Sequence, residues 1–225
     1  MNNKKRKILT RERVKELGLD KLEVITSDMI EGYTSIGDCA FEYCTSLTSI
    51  TIPNSVTSIR GDVFRTCTAL TSVTLGNSVT SIGYNAFIWC SSITSISIHN
   101  SVINISPNAF CGCRKLSSIV IDDETYKTQK VINGKCKAYK AFKGDMTCIG
   151  FQYEEGNTYE IEGEPKMCKQ GFHACLNLKD VFNYYFGKIG KDIIVHEVEL
   201  EDVSDERRDD SKVVAKKITI GKRIL

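Results

Sequence analysis

The chain lacks an excess of charge of either sign. Its 30 Lys and Arg residues oppose 28 Asp and Glu residues, which leaves a net charge of +2. That charge divides into +3 over residues 1–30, 0 over residues 31–121 and −1 over residues 122–225. No segment is basic enough to indicate nucleic-acid binding. The short basic cluster at residues 4–7 is therefore interpreted as a solvated tail.

Long apolar runs are also missing. No stretch approaches the roughly 20 apolar residues that a membrane-spanning helix needs. The basic residues near the amino terminus are not followed by the apolar segment that a signal peptide carries. From these absences we expect a cytoplasmic protein with no membrane partner. In that reducing environment the ten cysteines are expected to be free thiols.

Histidine is scarce, with three residues in the whole chain. Cys168, His173 and Cys175, together with Cys136 or Cys148, have side chains of the types that bind zinc. Their Cys-x4-His-x-Cys spacing is not one of the familiar zinc spacings. We therefore predict no metal site.

One pattern returns four times between residues 36 and 121. Phenylalanine recurs every 23 residues, cysteine follows three residues later, and further apolar columns keep the same period. The phenylalanines are Phe41, Phe64, Phe87 and Phe110, and the cysteines are Cys44, Cys67, Cys90 and Cys113. A constant period in this range indicates a solenoid, because one coil cannot bury its apolar face alone.

The second coil shows how the repeat is expected to fold. Ile50 and Ile52 alternate inward in a short strand, which leaves Ser49 and Thr51 facing outward. We expect one parallel sheet, a buried phenylalanine column, and one tight helical turn at residues 62–67. The outward positions carry hydroxyl side chains in every coil, at Ser49, Thr51, Ser72, Thr74, Ser95, Ser97 and Ser118. They are candidates for a binding surface, or they are polar residues that suit a solvated sheet.

The cysteine column admits two interpretations. Equivalent residues of adjacent coils stand about 4.8 Å apart at strand spacing, a distance that a disulfide can span. The alternative, which we favour, is a ladder of small buried thiols.

The repeats resemble the BspA-like leucine-rich repeats. The match covers about residues 31–121 in four copies and is carried by the phrase Ala40-Phe41-x-x-Cys44-x-x-Leu47-x-x-Ile50-x-Ile52-Pro53-x-Ser55-Val56-x-x-Ile59. This resemblance implies a leucine-rich-repeat solenoid that binds a protein or a surface ligand on its exposed sheet.

The repeat phase is lost after Ile121, which predicts three segments. These are an N-terminal tail and helical cap at 1–30, a solenoid of four repeats at 31–121, and a small α+β domain at 122–225. Thr10 is expected to cap a short helix that Gly18 ends. In the last domain, Asn133-Gly134 predicts a hairpin with a two-residue primed turn. Residues 149–153 and 158–161 predict a second hairpin, Asn177 caps a helix to about residue 186, and strands follow at 193–200 and 213–220.

Candidate catalytic residues fall in this last domain. His173 precedes the predicted helix, and Glu197 lies on a later strand. With Tyr139 and Tyr185 they are expected to converge, and a histidine opposite a carboxylate can perform acid–base chemistry. The alternative is a hydrogen-bonded histidine at a strand end and a charged outer face, with no catalytic residue.

The last domain resembles an uncharacterised domain of phage and gut-bacterial proteins. The resemblance rests on Lys137-Ala138-Tyr139-Lys140, Gly150-Phe151-Gln152-Tyr153, Gly171-Phe172-His173-Ala174-Cys175 and Asp210-Ser211-Lys212. More faintly, a Gly-Phe-His motif before a Tyr-rich helix and a Glu-bearing strand is similar to small ADP-ribosyltransferase-like domains. That second resemblance implies NAD as the cofactor and Glu197 as the catalytic carboxylate. In place of the family's Arg or His on the first strand, this chain has Tyr139-Lys140.

We predict an interaction protein, cytoplasmic or phage-encoded, whose solenoid binds a protein partner and whose last domain is a cap and effector. This function needs no cofactor. The alternative is an ADP-ribosyltransferase-like enzyme whose repeats select the target.

Overall fold

The structure is a computed structural model. It describes residues 7–99, 101–106, 108–121, 124–127, 129–143, 145–148, 151–163, 165, 172–185, 193–204 and 211–224, without the side chains of 124–127, 179, 183–185 and 193. The contacts divide the chain after Thr125 into two compact units. The sequence placed the end of the solenoid four residues earlier, at Ile121.

The first unit is a solenoid with two parallel sheets, where one was expected. The narrow sheet contains β1 (Ile8–Leu9), β3 (Ser35–Ile36), β5 (Ser58–Ile59), β7 (Ser81–Ile82) and β9 (Asn104–Ile105). The wide sheet contains β2 (Val24–Ile25), β4 (Ser49–Thr51), β6 (Ser72–Thr74), β8 (Ser95–Ile98), β10 (Ser118–Ile121) and β11 (Glu124–Lys127). The second sheet arises because the Ser-Ile pairs that return to the core also align from coil to coil.

The register of the solenoid is the sequence repeat itself. Ser49 pairs with Ser72 in the wide sheet, and Ser58 pairs with Ser81 in the narrow one, each 23 residues apart. The four repeat phenylalanines are fully buried and form one stack, with centroids 5.1–5.5 Å apart and planes within 14°. The solenoid and its buried phenylalanine column are confirmed.

The N-terminal segment contributes strands as well as a cap. Helix α1 (Arg11–Glu16) begins after Thr10, whose Oγ1 accepts a hydrogen bond from the Arg13 amide, and Gly18 follows with φ +67°. Both features were predicted. However, β1, which precedes this helix in the chain, extends the narrow sheet, and β2, which follows it, extends the wide sheet. Short 3-10 helices at Leu19–Lys21 and Ser27–Ile30 complete the segment.

The predicted helical turn at residues 62–67 is wrong. Asp62 and Thr66 have φ of +54° and +59°, so the backbone is not helical there. The Phe64 amide donates to the Ala86 carbonyl at 2.8 Å, one coil further on. Two turn hydrogen bonds remain within the segment, from the Arg65 amide to the Asp62 carbonyl and from the Cys67 amide to the Phe64 carbonyl, and the bonds to the next coil are added to them.

The second unit is a small strand-rich domain. Its strands are β12 (Cys136–Lys143), β13 (Thr147–Cys148), β14 (Phe151–Gln152), β15 (Thr158–Glu160), β16 (Phe172–Cys175), β17 (Ile193–Val203) and β18 (Lys212–Arg223). Helix α2 (Leu178–Tyr185) begins after Asn177, as predicted. Strands β12, β16, β18 and β17 pair antiparallel in a closed circuit, because β17 also pairs with β18.

One of the two hairpins predicted for this unit has different partners. Asn133 and Gly134 both have positive φ between the bridged residues Ile132 and Lys135, so the primed turn is confirmed. In contrast, β14 pairs with β13, and β15 pairs with β18. The second predicted hairpin is therefore wrong, because the long strand β18 offers β15 a continuous edge.

Candidate functional site

The outward face of the wide sheet presents the predicted hydroxyl array. Thr51, Ser72 and Thr74 are exposed, whereas the outward serines at 49, 95, 97 and 118 are partly exposed. The inward residues between them are buried, as Ile50 and Val73 show. Strand pairing sets equivalent hydroxyls side by side, with Thr51 opposite Thr74 and Thr74 opposite Ser97. The result is an array of uncharged hydroxyls with a regular spacing of about 4.8 Å between coils.

The hydroxyls of this face differ from other hydroxyls of the solenoid. Thr48 and Thr71, one residue before β4 and β6, donate to carbonyls of the preceding coil at 2.8 and 3.0 Å. Thr57 and Thr80 do the same beside the narrow sheet. Within the described part of the chain, the seven outward hydroxyls have no protein hydrogen-bond partner. They are therefore available to another molecule.

The turns of the solenoid carry a set of side chains that the sequence analysis missed. Tyr43, Tyr84 and Trp89 are each about half exposed. Arg65 lies over the Trp89 ring at 5.3 Å and also forms an ion pair with Glu42 at 3.7 Å. Tyrosine, tryptophan and arginine are the residues most often found at interface hot spots. The sequence indicated these residues through variation at one repeat position, which is Tyr43 and Trp89 in two coils and Thr66 and Gly112 in the other two.

In the second unit, three of the four candidate catalytic residues share one face of the sheet. Tyr139 is paired with Glu197 on one side and with Cys175 on the other. His173 lies two residues before Cys175, and alternation places it on the same face. Tyr185 ends α2, but its side chain lies outside the described residues. Tyr139, His173 and Glu197 thus lie on one face of the sheet, and their joint catalytic role stays a prediction.

Tyr139 is not open to a ligand in this arrangement. It is 1% exposed, and its hydroxyl accepts a hydrogen bond from Gln129 Nε2 at 2.9 Å. Burial raises the pKa of the Tyr139 phenol, and the nearby Glu197 carboxylate contributes in the same direction. Glu197 itself is partly exposed. A planar ligand therefore has no free aromatic surface on Tyr139.

The opposite face of the same strands holds two buried basic side chains. Lys140 and His196 are 3% and 2% exposed and stand directly opposite each other on β12 and β17. Both lie at positions that alternate with core residues along their strands. For Lys140 these residues are Ala138 and Phe142, each two positions away. The position of Lys140 inside the sheet was not predicted from the sequence. The signal was present, because Lys140 interrupts an otherwise apolar alternation.

Across the described residues, no group of three or more His, Cys, Asp and Glu side chains is arranged to hold a metal ion. Cys168, one of the candidate ligands, lies outside those residues. Nor does any helix there combine the length and apolar composition of a membrane crossing. An open groove of about 390 Å³ lies beside β12, lined by Lys130, Ile132, Lys135, Cys136, Lys137, Glu199, Leu200 and Glu201.

The parallel ladders and the 23-residue register define a leucine-rich-repeat solenoid. The sequence model of the BspA-type leucine-rich repeat region matches residues 21–140 with six copies. Because this match spans more than half of the chain, the chain belongs to the BspA-type leucine-rich repeat family. The match also begins ten residues before the predicted solenoid, consistent with the extra strand β2.

The second unit matches a family of its own. Residues 136–225 match a domain of unknown function, DUF7666. That family has no known function, so it brings neither a transferase activity nor a phage origin to this chain. No curated protein matches the chain.

Solved structures of leucine-rich repeat proteins are similar to the solenoid. One from Bacteroides capillosus is 31% identical over 40% of this chain and 64% of its own, with a TM-score of 0.35. A leucine-rich cell surface protein from Faecalibacterium prausnitzii is 24% identical over 46% and 33%, with a TM-score of 0.37. The T. pallidum leucine-rich repeat protein is 25% identical over 44% and 58%, with a TM-score of 0.36. The chain thus spans less than two thirds of each of these proteins.

Proposed function

We propose that the solenoid is a protein-binding scaffold and that the outward face of its wide sheet is the contact surface. Leucine-rich repeat proteins are generally protein-binding scaffolds. The observation that supports this surface is the set of seven in-register hydroxyls without partners in the described chain, next to threonines whose hydroxyls are used between coils. The second unit is proposed as the cap and effector of this scaffold.

The chemistry of the face fits a polypeptide partner. Each coil offers hydroxyls that donate and accept hydrogen bonds, and the face carries no charged side chain at these seven positions. Neutral hydroxyls of this kind suit backbone amides and polar side chains better than nucleic acid, whose binding depends on basic residues. The cytoplasmic location and the phage origin stay predictions.

Site-specific photocrosslinking tests the surface. A photoreactive amino acid is placed at Thr74, on the proposed face, or at Thr80, which is also exposed in the same coil but donates to the Thr57 carbonyl. In cells of the source organism, we expect one predominant protein adduct with the Thr74 probe, and its loss when Thr51 is also changed to Lys. Equal adducts from both probes, or none from the Thr74 probe, would contradict the proposal.

The transferase is retained as a second candidate because Glu197 stands beside Tyr139 on the face that also carries His173. Its test is a thermal-shift titration with NAD, together with an NAD-hydrolysis assay of the wild type and Glu197→Gln. A transferase predicts a shift for both proteins, since the substitution removes charge with little change of shape, and turnover only for the wild type. Absence of both signals leaves the binding scaffold as the function.

A further inference from the structure

One residue in each turn of the solenoid forms a column that runs along the coils. This turn column is Tyr43, Thr66, Trp89 and Gly112, and all four residues have φ between +59° and +75°. The amides of the first three each donate to a carbonyl of the next coil at 2.8–2.9 Å. Because these three residues share a left-handed backbone and one hydrogen-bond pattern, their side chains leave the turns in the same direction.

The two aromatic residues of the turn column alternate with small ones, and both are about half exposed. Trp89 leans over Gly112, since a Cβ added to that glycine would lie 2.2 Å from Trp89 Cδ1. Arg65, from the preceding coil, lies over the Trp89 ring at 5.3 Å, and its guanidinium is held by Asp62 at 3.4 Å and Glu42 at 3.7 Å. The ring is therefore positioned before a ligand arrives, which lowers the entropic cost of binding.

The spacing of the two rings fits one kind of polypeptide. Tyr43 and Trp89 are two coils apart, which is about 9.6 Å at the strand spacing of adjacent coils. A polyproline II helix rises about 3.1 Å per residue with three residues per turn, so it repeats every ~9.3 Å. Prolines three positions apart in such a segment therefore reach both rings, with Thr66 opposite the residues between them. Aromatic-lined surfaces recognise proline-rich segments in this way.

The last coil adds a charge preference. Its turn, residues 106–116, contains the exposed Arg114 and Lys115 and no acidic residue. The Arg114 amide donates to the Gly112 carbonyl at 2.9 Å, so these cations adjoin the end of the turn column where Trp89 lies. A ligand with acidic residues beside its prolines complements this charge.

We propose that the turn column binds a proline-rich segment of a partner protein. Prolines at positions i and i+3 of the segment pack against Tyr43 and Trp89, and acidic residues after them lie beside Arg114. This contact involves none of the seven hydroxyl residues of the wide sheet. The two contacts are therefore tested separately, and the failure of one does not decide the other.

Trp89 is the one tryptophan of the chain, so its fluorescence reports directly on the turn column. The full chain is titrated with the peptide Ala-Pro-Ala-Ala-Pro-Ala-Ala-Pro-Glu-Glu, in which proline recurs every three residues. The control peptide has the same composition, Ala-Pro-Ala-Pro-Ala-Pro-Ala-Ala-Glu-Glu, but proline recurs every two.

With the first peptide we expect a saturable shift of the Trp89 emission to shorter wavelength, because a proline ring excludes water from the indole. The affinity for the control peptide should be at least about fivefold lower. Added salt should weaken the binding of the first peptide, because it screens the glutamates from Arg114.

Two tyrosine variants provide matched controls. Tyr43→Ala keeps the fluorescent reporter and should lower the affinity for the first peptide at least about fivefold. Tyr84→Ala removes a similarly exposed ring from the turns but outside the turn column, so the affinity should not change. The comparison of the two peptides on the wild type is decisive by itself if Tyr43→Ala does not fold.

Three results would overturn the proposal. They are an unchanged Trp89 emission with both peptides up to about 1 mM, equal affinities for the two peptides, and a Tyr84→Ala variant that binds as weakly as Tyr43→Ala. An emission shift with the neutral oligosaccharide cellopentaose and none with either peptide would assign the rings to a carbohydrate and would overturn it as well.

Discussion

The solenoid and the second unit differ in how their buried polar side chains are hydrogen-bonded. In the solenoid, the buried thiols of Cys67, Cys90 and Cys113 donate to backbone carbonyls 26 residues earlier, so three successive coils repeat the same hydrogen bond. In the second unit, Lys140 and His196 face each other across two strands, and each finds a different carbonyl. In a repeat, equivalent residues of successive coils form the same hydrogen bond. In a non-repetitive sheet, each buried polar side chain has its own hydrogen-bond partner, so side chains as different as lysine and histidine can lie inside it.

The largest expected effect comes from removing one ring of the phenylalanine stack. Phe87 stacks on Phe64 at 5.1 Å and on Phe110 at 5.5 Å, so Phe87→Ala leaves a cavity between two coils. We expect a loss of about 3–5 kcal/mol in the free energy of unfolding, measured by urea denaturation. The control is Phe151→Ala, which removes a ring that is 48% exposed. An equal loss in both variants would show that the stack does not hold the coils together.

A smaller effect is expected where two coils approach closely. A Cβ added to Gly83 would lie 2.5 Å from the Arg60 carbonyl carbon, whereas one added to Gly61 meets the Asp38 side chain at 3.3 Å. Gly83→Ala should destabilise the protein by about 1–3 kcal/mol, because the neighbouring backbone must move. Gly61→Ala is the matched control, and its melting temperature should stay near that of the wild type.

A single coil-to-coil hydrogen bond should contribute less. Cys67→Ala removes the thiol that donates to the Phe41 carbonyl at 3.1 Å, and it leaves a small void in a fully buried position. We expect a loss of about 1–2 kcal/mol. Cys67→Ser keeps a donor and removes little volume, so it separates the two contributions. If the serine variant is less stable than the alanine variant, the hydrogen bond is not the stabilising element.

The smallest effect at neutral pH, and the one that most sharpens the comparison, concerns Lys140→Met. The substitution removes a buried amine but leaves the His173 carbonyl without its donor, so the net change should be under about 1 kcal/mol. The pKa of Lys140 is lowered in the folded protein from its ordinary value of 10.5. As the pH falls, the unfolded chain therefore binds the proton at a higher pH than the folded protein does. The wild type loses stability as the pH falls from 10.5 to the lowered pKa of the folded protein.

Unfolding free energies of both proteins at several pH values measure this difference. Relative to Lys140→Met, the wild type should become more stable as the pH rises from neutral toward 10.5. Parallel pH profiles for the two proteins would mean that Lys140 is protonated to the same extent in the folded and unfolded states. No such pH dependence is expected for Phe87→Ala, since it changes no titratable group.

The sequence by itself determined the repeat period, the inward columns and therefore the register of the solenoid. Phe41 and Phe64 align because each coil repeats the apolar pattern of the previous one. Such a pattern is buried when equivalent positions of adjacent coils stack on each other. The outward hydroxyls at Ser72 and Thr74 followed from the same alternation. Local signals also located the Thr10 cap and the Asn133-Gly134 turn, since both depend on a few adjacent residues.

The tertiary structure alone decided what depends on partners distant in the chain. The second parallel sheet, the inter-coil hydrogen bonds near Asp62, and the pairing of β15 with β18 all involve segments far apart in sequence. The burial of Lys140 has the same origin, because it requires β17 and β18 to close the sheet around it. In a periodic chain, the residues that will contact one another can be predicted from the repeat spacing. In a non-repetitive domain, contacts between distant segments form only when the chain folds.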